Sequence, residues 1–196
     1  MSHTIYNTEG FILRSADFGE ANKYFFVFTE QFGLIKVAGQ GVRHLKSKLR
    51  YSLADFSLSY FSVVRGRELW RLTSAEKKLI LKDTIKLSLL SRIFSLLLRL
   101  LHGEEKNDLL FQYLKEGIIF LDSLEMSKLN LDTKLEDFEC ILALRILSAL
   151  GYIGKLGDFD QFTTSPYFTA ELLIIMSTLK SRAILEINKS LHETHL

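Results

Sequence analysis

Apolar and polar residues alternate with a period of two along the first 75 positions, and this pattern is typical of β-strands. Tyr24, Phe26 and Phe28 would lie on one face of a strand, with the residues between them on the other. Gly33 follows this strand closely and can take the positive φ that a tight turn needs. The front of the chain therefore predicts short antiparallel strands joined by glycine-bearing turns.

A second alternating stretch runs from Leu53 to Val64, and its apolar face switches at Phe61. Such a switch predicts a β-bulge, which bends a strand around a small barrel. A fifth strand is predicted from Glu68 to Thr73. Five short strands with one long basic connection predict an OB-like β-barrel over residues 1–75, although the strand count alone leaves an SH3-like barrel open.

The apolar spacing becomes helical from about Ala75. Thr133-Lys134-Leu135-Glu136 matches a capping box, in which the Thr hydroxyl and the Glu carboxylate bond to backbone N–H groups at the start of a helix. The predicted helices run from Ile80 to Leu101, from Asn107 to about Leu124 and from Thr133 to Gly151, followed by two shorter ones capped by Thr169 and Ser181. The predicted fold class is therefore α+β, with an all-α domain over residues 76–196.

Composition narrows the class of protein. Of the 196 residues, 47% are hydrophobic and 24% are charged, so the chain can bury a core. The single cysteine, Cys140, excludes an internal disulfide and a cysteine-cluster zinc site, and we expect it to pack in a buried helix. The most apolar stretch, Leu87 to Leu101, contains two arginines and is too short for a bilayer core of about 30 Å. Since the first residues also lack a signal-peptide pattern, we expect a cytoplasmic protein with no membrane partner.

Catalytic and metal-binding motifs are absent from the sequence. The five histidines are scattered, without the H-x-x-H or H-E-x-x-H spacing that places two ligands on one helix face. Gly39-Gln40-Gly41 lacks the second half of a dinucleotide-binding loop, and there is no G-K-[ST] phosphate loop. We therefore expect no enzyme, and no catalytic residue, metal, cofactor or small-molecule substrate.

Positive charge is concentrated in the front of the chain, where residues 1–80 hold 12 Lys and Arg against 7 Asp and Glu. Four of these cations and one histidine lie between Arg43 and Arg50, and such a segment attracts a phosphate backbone. OB barrels grip oligonucleotides with strand faces and loops of this kind. The expected DNA-binding residues are Arg14, Lys23, Arg43, Lys46, Lys48 and Arg50, and Arg65, Arg67 and Arg71 could continue the positive band. The alternative is an ordinary solvated loop of lysines and arginines.

Aromatic residues close to these cations could stack on bases. Tyr51 directly follows the basic segment, and Tyr24 lies beside Lys23. Trp70 could stack on a base or belong to the core, and a tryptophan in a strand is more often a core residue. The other aromatic residues of the front half alternate as core residues do.

Two runs of the sequence resemble the opening of the RecO family: Glu-Gly-Phe-Ile-Leu-Arg-Ser-Ala-Asp-Phe-Gly-Glu at 9–20 and Phe-Gly-Leu-Ile-Lys-Val-Ala-Gly-Gln-Gly-Val-Arg at 32–43. The order and spacing of these pieces are more distinctive than any one of them. The resemblance continues more loosely at 142–147 with Leu150-Gly151-Tyr152. It covers most of the chain and is strongest in the first 75 residues.

The resemblance implies an N-terminal OB domain that binds nucleic acid and a helical C-terminal domain. It also implies a recombination mediator of the RecF pathway that binds single- and double-stranded DNA on the nucleoid and anneals complementary strands. Its implied partners are RecR and single-stranded-DNA-binding protein, with which it loads the recombinase. Many family members carry a four-cysteine zinc module that would fall at residues 153–168, where this chain has no cysteine. Zinc is therefore not expected.

Two other functions are compatible with the same residues. An OB-type RNA-binding or ribosome-associated protein would use a similar basic surface. A non-catalytic interaction scaffold would present the segment Arg43 to Arg50 to an acidic protein instead of a nucleic acid.

Overall fold

The computed structural model describes residues 4–125, 131–154 and 157–193. Five strands come first and four α-helices follow, which confirms the predicted α+β class. The chain divides into two compact units, residues 1–107 and residues 108–196. The first unit holds 17 Lys and Arg against 10 Asp and Glu, whereas the second holds 8 against 13. The first unit is therefore the positively charged one.

The first unit is built on a closed five-stranded barrel, which confirms the predicted OB-like architecture. The strands lie in the order β1-β2-β3-β5-β4 around the barrel, and every neighbouring pair is antiparallel except β3 with β5. Their bounds are β1 Ile5–Phe18, β2 Asn22–Thr29, β3 Gly33–Gly39, β4 Leu58–Arg65 and β5 Trp70–Leu79. A short 3₁₀-helix, Lys48–Tyr51, lies in the connection between β3 and β4.

The barrel core follows the alternation of the sequence. Phe25 and Val27 of β2 are buried inside, and Tyr24 and Phe26 are directed outward and are partly exposed. The core cluster consists of Ile12, Phe25, Val27, Ile35, Val37, Val42, Phe61, Val63 and Trp70. The register between β4 and β5 shifts between Ser62 and Val63, and the residue that this shift skips, Thr73, lies in β5. The bulge that the switch of the apolar face predicted in the stretch Leu53 to Val64 was therefore placed on the wrong strand.

Gly33 allows the turn between β2 and β3 to approach another segment of the first unit. Its φ is +67°, and a Cβ at this position would lie 2.2 Å from the carbonyl oxygen of Glu105. Gly19 also has a positive φ, +58°, but a Cβ there would meet no atom closer than the Asn22 side chain at 3.9 Å. The two glycines therefore share one backbone conformation and differ in the space around them.

Replacing Gly33 by alanine is expected to lower the free energy of unfolding by about 2 to 3 kcal/mol, because a left-handed alanine and an overpacked contact each cost about 1 kcal/mol or more. Gly19→Ala should cost about 1 kcal/mol, since only the backbone conformation opposes it. Urea denaturation of both variants measures the difference. Equal losses at the two positions would contradict the close approach to Glu105.

Helix α1, Thr84–Leu100, belongs to the first unit. The Asp83 side chain caps it by accepting hydrogen bonds from the backbone N–H groups of Ile85 and Lys86, at 2.9 and 3.0 Å. The Phe94 ring lies 6.1 Å from Phe11 and 5.9 Å from Phe56, so the helix packs on the barrel. The domain boundary that we expect between residues 75 and 76 lies before this helix. The position of this boundary stays a prediction.

The second unit consists of helices α2 Asp108–Ser123, α3 Leu131–Ala149 and α4 Ala170–Glu193, with a 3₁₀-helix at Gly157–Phe162. The capping-box prediction was wrong, because α3 begins at Leu131 and Thr133 lies within its first turn. Thr169 does cap α4, but Ser181 lies inside this single long helix and starts no second one. Within the described ranges, no helix is long and apolar enough to cross a membrane.

Arg145 fixes an irregular segment of the second unit. Its side chain is fully buried, and its guanidinium donates to the carbonyl oxygens of Phe162 at 2.6 Å, Pro166 at 2.8 Å and Tyr167 at 2.9 Å. The group also lies 4.1 Å from the centroid of the Phe168 ring. Burial lowers the pKa of Arg145 to about 10, which leaves the guanidinium charged at neutral pH. One side chain thus holds three carbonyl groups of the segment after α3.

Candidate nucleic-acid interface

The outward side of β1, β2 and β3 carries aromatic rings lined by cations. Strand pairing places Phe26 between Arg14 of β1 and Lys36 of β3. The Arg14 guanidinium lies 5.5 Å from the Phe26 ring centroid, and the Lys36 ammonium lies 4.3 Å from that of Tyr24 and 5.8 Å from that of Phe26. Phe18, which is 50% exposed, contacts Tyr24 at a centroid distance of 4.6 Å. We call these five side chains the aromatic face.

The aromatic face has the chemistry of a single-strand binding surface. Every base has a flat face that can stack on an aromatic ring, and a cation beside the ring can pair with the adjacent phosphate. Of the predicted DNA-binding residues, Arg14 lies on this face. The sequence interpretation missed Lys36, Phe26 and Phe18, although the pairing of β2 with β3 that places Lys36 beside Phe26 followed from the two predicted strands.

The basic loop, residues 41–50, is anchored to the turn between β1 and β2. The backbone N–H of Arg43 donates to Ala21 at 3.0 Å, and its guanidinium donates to the Gly19 carbonyl at 3.1 Å and pairs with Asp17 at 3.3 Å. Lys23 also pairs with Asp17, at 3.6 Å. Arg43 and Lys23 therefore share one carboxylate, and part of their charge is already compensated within the protein.

The remaining predicted cations are more available. Arg50 lines a cavity of about 550 Å³ together with Lys23 and Arg43. Lys46 lines a neighbouring shallow depression that also includes Arg43, and Lys48 lies apart from both on the short 3₁₀-helix. Within residues 4–125, the side chains of Lys46, Lys48 and Arg50 form no ion pair with the protein, and all three are exposed. The loop can therefore offer three uncompensated charges to phosphates.

Two other aromatic candidates have different environments. Tyr51 is 73% exposed at the end of the 3₁₀-helix, so its ring is open to a ligand. Trp70 is buried, and its indole N–H donates to a Glu104 carboxylate oxygen at 2.8 Å, so it is a core residue.

Metal ligands and the single cysteine were two possible sources of chemistry in this chain. In the described part of the chain, no group of three or more His, Cys, Asp or Glu side chains could hold a metal ion. Cys140 is partly buried, and this burial raises the pKa of its thiol to about 11. At neutral pH the group is a protonated thiol and not the thiolate that a nucleophile needs.

The similarity of this chain to known proteins extends over residues of both units. The model of the family described as "Recombination protein O N terminal" matches residues 1–78. The DNA repair protein RecO of Alkaliphilus metalliredigens is 30% identical over 136 residues, which are 67% of this chain and 54% of the relative. The same-named protein of Thermoanaerobacter sp. is 26% identical over 156 residues, 77% of this chain and 60% of the relative.

The chain belongs to the RecO family.

The RecO family match contains the whole candidate interface, since residues 1–78 include both the aromatic face and the basic loop. Other matches are shorter: the DNA repair protein RecO of Gloeothece citriformis is 37% identical over 76 residues, 39% of this chain and 26% of the relative. The chain spans a little more than half the length of the RecO proteins from Alkaliphilus and Thermoanaerobacter.

Proposed function

We propose that the chain mediates DNA repair and homologous recombination without catalysing a reaction. In this role it binds single- and double-stranded DNA, anneals complementary strands and helps to load the recombinase of the RecF pathway, on nucleoid DNA in the cytoplasm. The names of its relatives as DNA repair proteins support this role. The observation that carries the proposal is the row Arg14, Phe26 and Lys36 across three strands of the barrel.

The aromatic face is proposed to hold a single strand. Stacking of a base on an aromatic ring is worth about 1 to 3 kcal/mol and does not depend on which base it is. Arg14 and Lys36 lie beside the rings and pair with the phosphates of the same strand. Contacts of this kind depend little on the base sequence of the DNA. A protein that anneals any two complementary strands must bind DNA of any sequence.

The basic loop is proposed to hold further phosphates of a bound single strand and, during annealing, those of the second strand or of the duplex product. Its free cations, Lys46, Lys48 and Arg50, act with Arg43 and with Lys23. Two strands could then be brought together with their base edges unoccupied. RecR and single-stranded-DNA-binding protein are the proposed protein partners, and the acidic second unit is the proposed region for contacts with them.

A strand-annealing assay tests the proposal. The protein should accelerate pairing of two complementary oligonucleotides, both naked and coated with single-stranded-DNA-binding protein. If annealing is not accelerated and RNA oligomers bind more tightly than DNA oligomers of the same sequence, an RNA-binding function replaces the proposed one. If neither nucleic acid binds, the interaction scaffold remains.

The salt dependence of binding should report the contacts of the basic loop. If about four phosphates are contacted, log K for a single strand should fall with log salt at a slope of about −3, because each contact contributes about 0.7. Substituting Lys46, Lys48 and Arg50 together by alanine should reduce the magnitude of this slope by about 2. Arg43 is kept because it anchors the loop. Fluorescence anisotropy at several salt concentrations measures both slopes.

Lys189→Ala is the matched control, since this lysine is exposed on α4, outside the family match. It should leave the slope within about 0.7 of that of the unchanged protein. A triple variant with an unchanged slope would contradict the role of the loop in phosphate binding.

A further inference from the structure

A cavity adjoins one end of the aromatic face. Its volume is about 540 Å³, within the range of small-molecule sites. Phe18 of β1 and Tyr24 of β2 form one part of its lining. The turn between β4 and β5, Gly66 to Leu69, forms another part. Gln40 and Arg71 also line it. The cavity therefore combines aromatic rings with polar side chains from three other places in the barrel.

Three charged side chains around this cavity have no partner in the described part of the first unit. Within residues 4–125, the side chains of Arg67, Glu68 and Arg71 form no hydrogen bond or ion pair with the protein, and all three are exposed. The turn that carries the first two is closed by a hydrogen bond from the Gly66 N–H to the Leu69 carbonyl oxygen, at 3.0 Å. Within this part of the chain, the guanidinium groups of Arg67 and Arg71 and the carboxylate of Glu68 are therefore available to bind a ligand.

This set of groups matches the parts of a nucleotide. A half-exposed ring such as Phe18 can stack on a base, and arginines bind phosphate oxygens through pairs of N–H donors. The Glu68 carboxylate is an acceptor only, so it selects for a base edge that donates. Guanine has two neighbouring donors on its pairing edge, N1–H and the N2 amino group. Adenine, cytosine and thymine each present one donor there, so only guanine can satisfy both carboxylate oxygens.

We infer that the cavity binds one unpaired guanine nucleotide of a single strand. The base stacks on Phe18 and donates N1–H and N2–H to Glu68, and Arg67 and Arg71 bind the neighbouring phosphates. This inference rests on the proposed function, because the strand is the one held by the aromatic face. The edge that Glu68 binds is also the edge that pairs with cytosine. A guanine in the cavity is therefore released when its complement arrives, and a duplex cannot enter.

The test uses oligothymidylate of 12 residues, the same oligomer with one central guanine, and the same oligomer with one central inosine, which lacks the N2 amino group. The full chain should bind the guanine oligomer about ten-fold more tightly than oligothymidylate, as is typical of a two-donor contact. Inosine should lose most of this gain. Glu68→Gln should abolish the guanine preference and leave the affinity for oligothymidylate within two-fold.

Glu30→Gln is the matched control, because Glu30 is exposed in the turn between β2 and β3 and does not line the cavity. It should keep the guanine preference. Equal affinities of the unchanged protein for the three oligomers, or a preference that survives Glu68→Gln, would overturn the guanine site and leave the proposed DNA binding intact. Failure of all three oligomers to bind would overturn both.

Discussion

Replacing Tyr24 and Phe26 together by alanine should weaken binding of a single strand by about 30-fold or more. Each ring offers a stacking contact worth about 1 to 3 kcal/mol, and about 1.4 kcal/mol corresponds to ten-fold in affinity. Both side chains are directed outward from the barrel, so the core cluster is unchanged by the substitution. Fluorescence anisotropy with oligothymidylate measures the loss.

The control variant exchanges the rings, with Tyr24→Phe and Phe26→Tyr, and should bind within about two-fold of the unchanged protein because both stacking surfaces remain. Duplex binding should change little in the alanine variant, since the bases of a duplex are already stacked. An alanine variant that binds a single strand within three-fold of the unchanged protein would mean that the aromatic face does not hold DNA.

Arg145→Met should lower the free energy of unfolding by about 4 kcal/mol, because it leaves three carbonyl groups without their donor and each unsatisfied group costs about 1 to 3 kcal/mol. Methionine keeps much of the apolar volume, so the loss reports mainly the missing hydrogen bonds. Burial of the guanidinium itself is costly, and its removal offsets part of the loss. Urea denaturation followed by circular dichroism is the measurement.

Arg182→Met makes the same chemical change at an exposed site and is the matched control. Arg182 pairs with Asp158 at 2.7 Å, but both side chains are more than 60% exposed. Such a pair is worth about 0 to 1 kcal/mol. If the two variants lose equal stability, Arg145 does not organise the segment.

The barrel could be predicted because parts of its strands, such as Tyr24 to Val27 of β2, are buried on one side only. Alternation in β2 and around β4 follows directly from that geometry. The switch at Phe61 was interpreted as a bulge in β4, whereas the residue that the register skips, Thr73, lies in β5. The end of β5 was missed because Glu76, Lys77 and Lys78 are all exposed, and no apolar period marks this part of the strand. A strand without a buried face has no alternation to detect.

The helices show a related limit. The start of α3 was misplaced because a capping box describes only a local preference, and Thr133 is an exposed residue inside the helix. Ser181 was taken for a cap, yet it lies on the exposed side of a continuous α4. Polar residues on the outer face of a long helix look the same in sequence as residues that begin a new one.

The candidate interface was predicted only as a set of charges. The run from Arg43 to Arg50 is visible in the sequence, but the pairing of Arg43 and Lys23 with Asp17 depends on how two turns meet. Lys36 is a single lysine in a strand and gives no local signal. Its position beside Tyr24 depends on the register between strands, which the sequence interpretation did not follow to this residue.

One pair of neighbouring strands in the barrel, β3 and β5, is joined by few backbone hydrogen bonds. Within residues 4–125, β3 and β5 pair at two positions, Val37 with Trp70 and Ala38 with Arg71, whereas β2 and β3 pair at seven. Segments joined by few backbone hydrogen bonds open at lower free energy than the rest of a fold. The barrel is therefore expected to open more readily between β3 and β5 than between β2 and β3. A single DNA strand held on the outer side of β3 would therefore lie next to the part of the wall that is expected to open first.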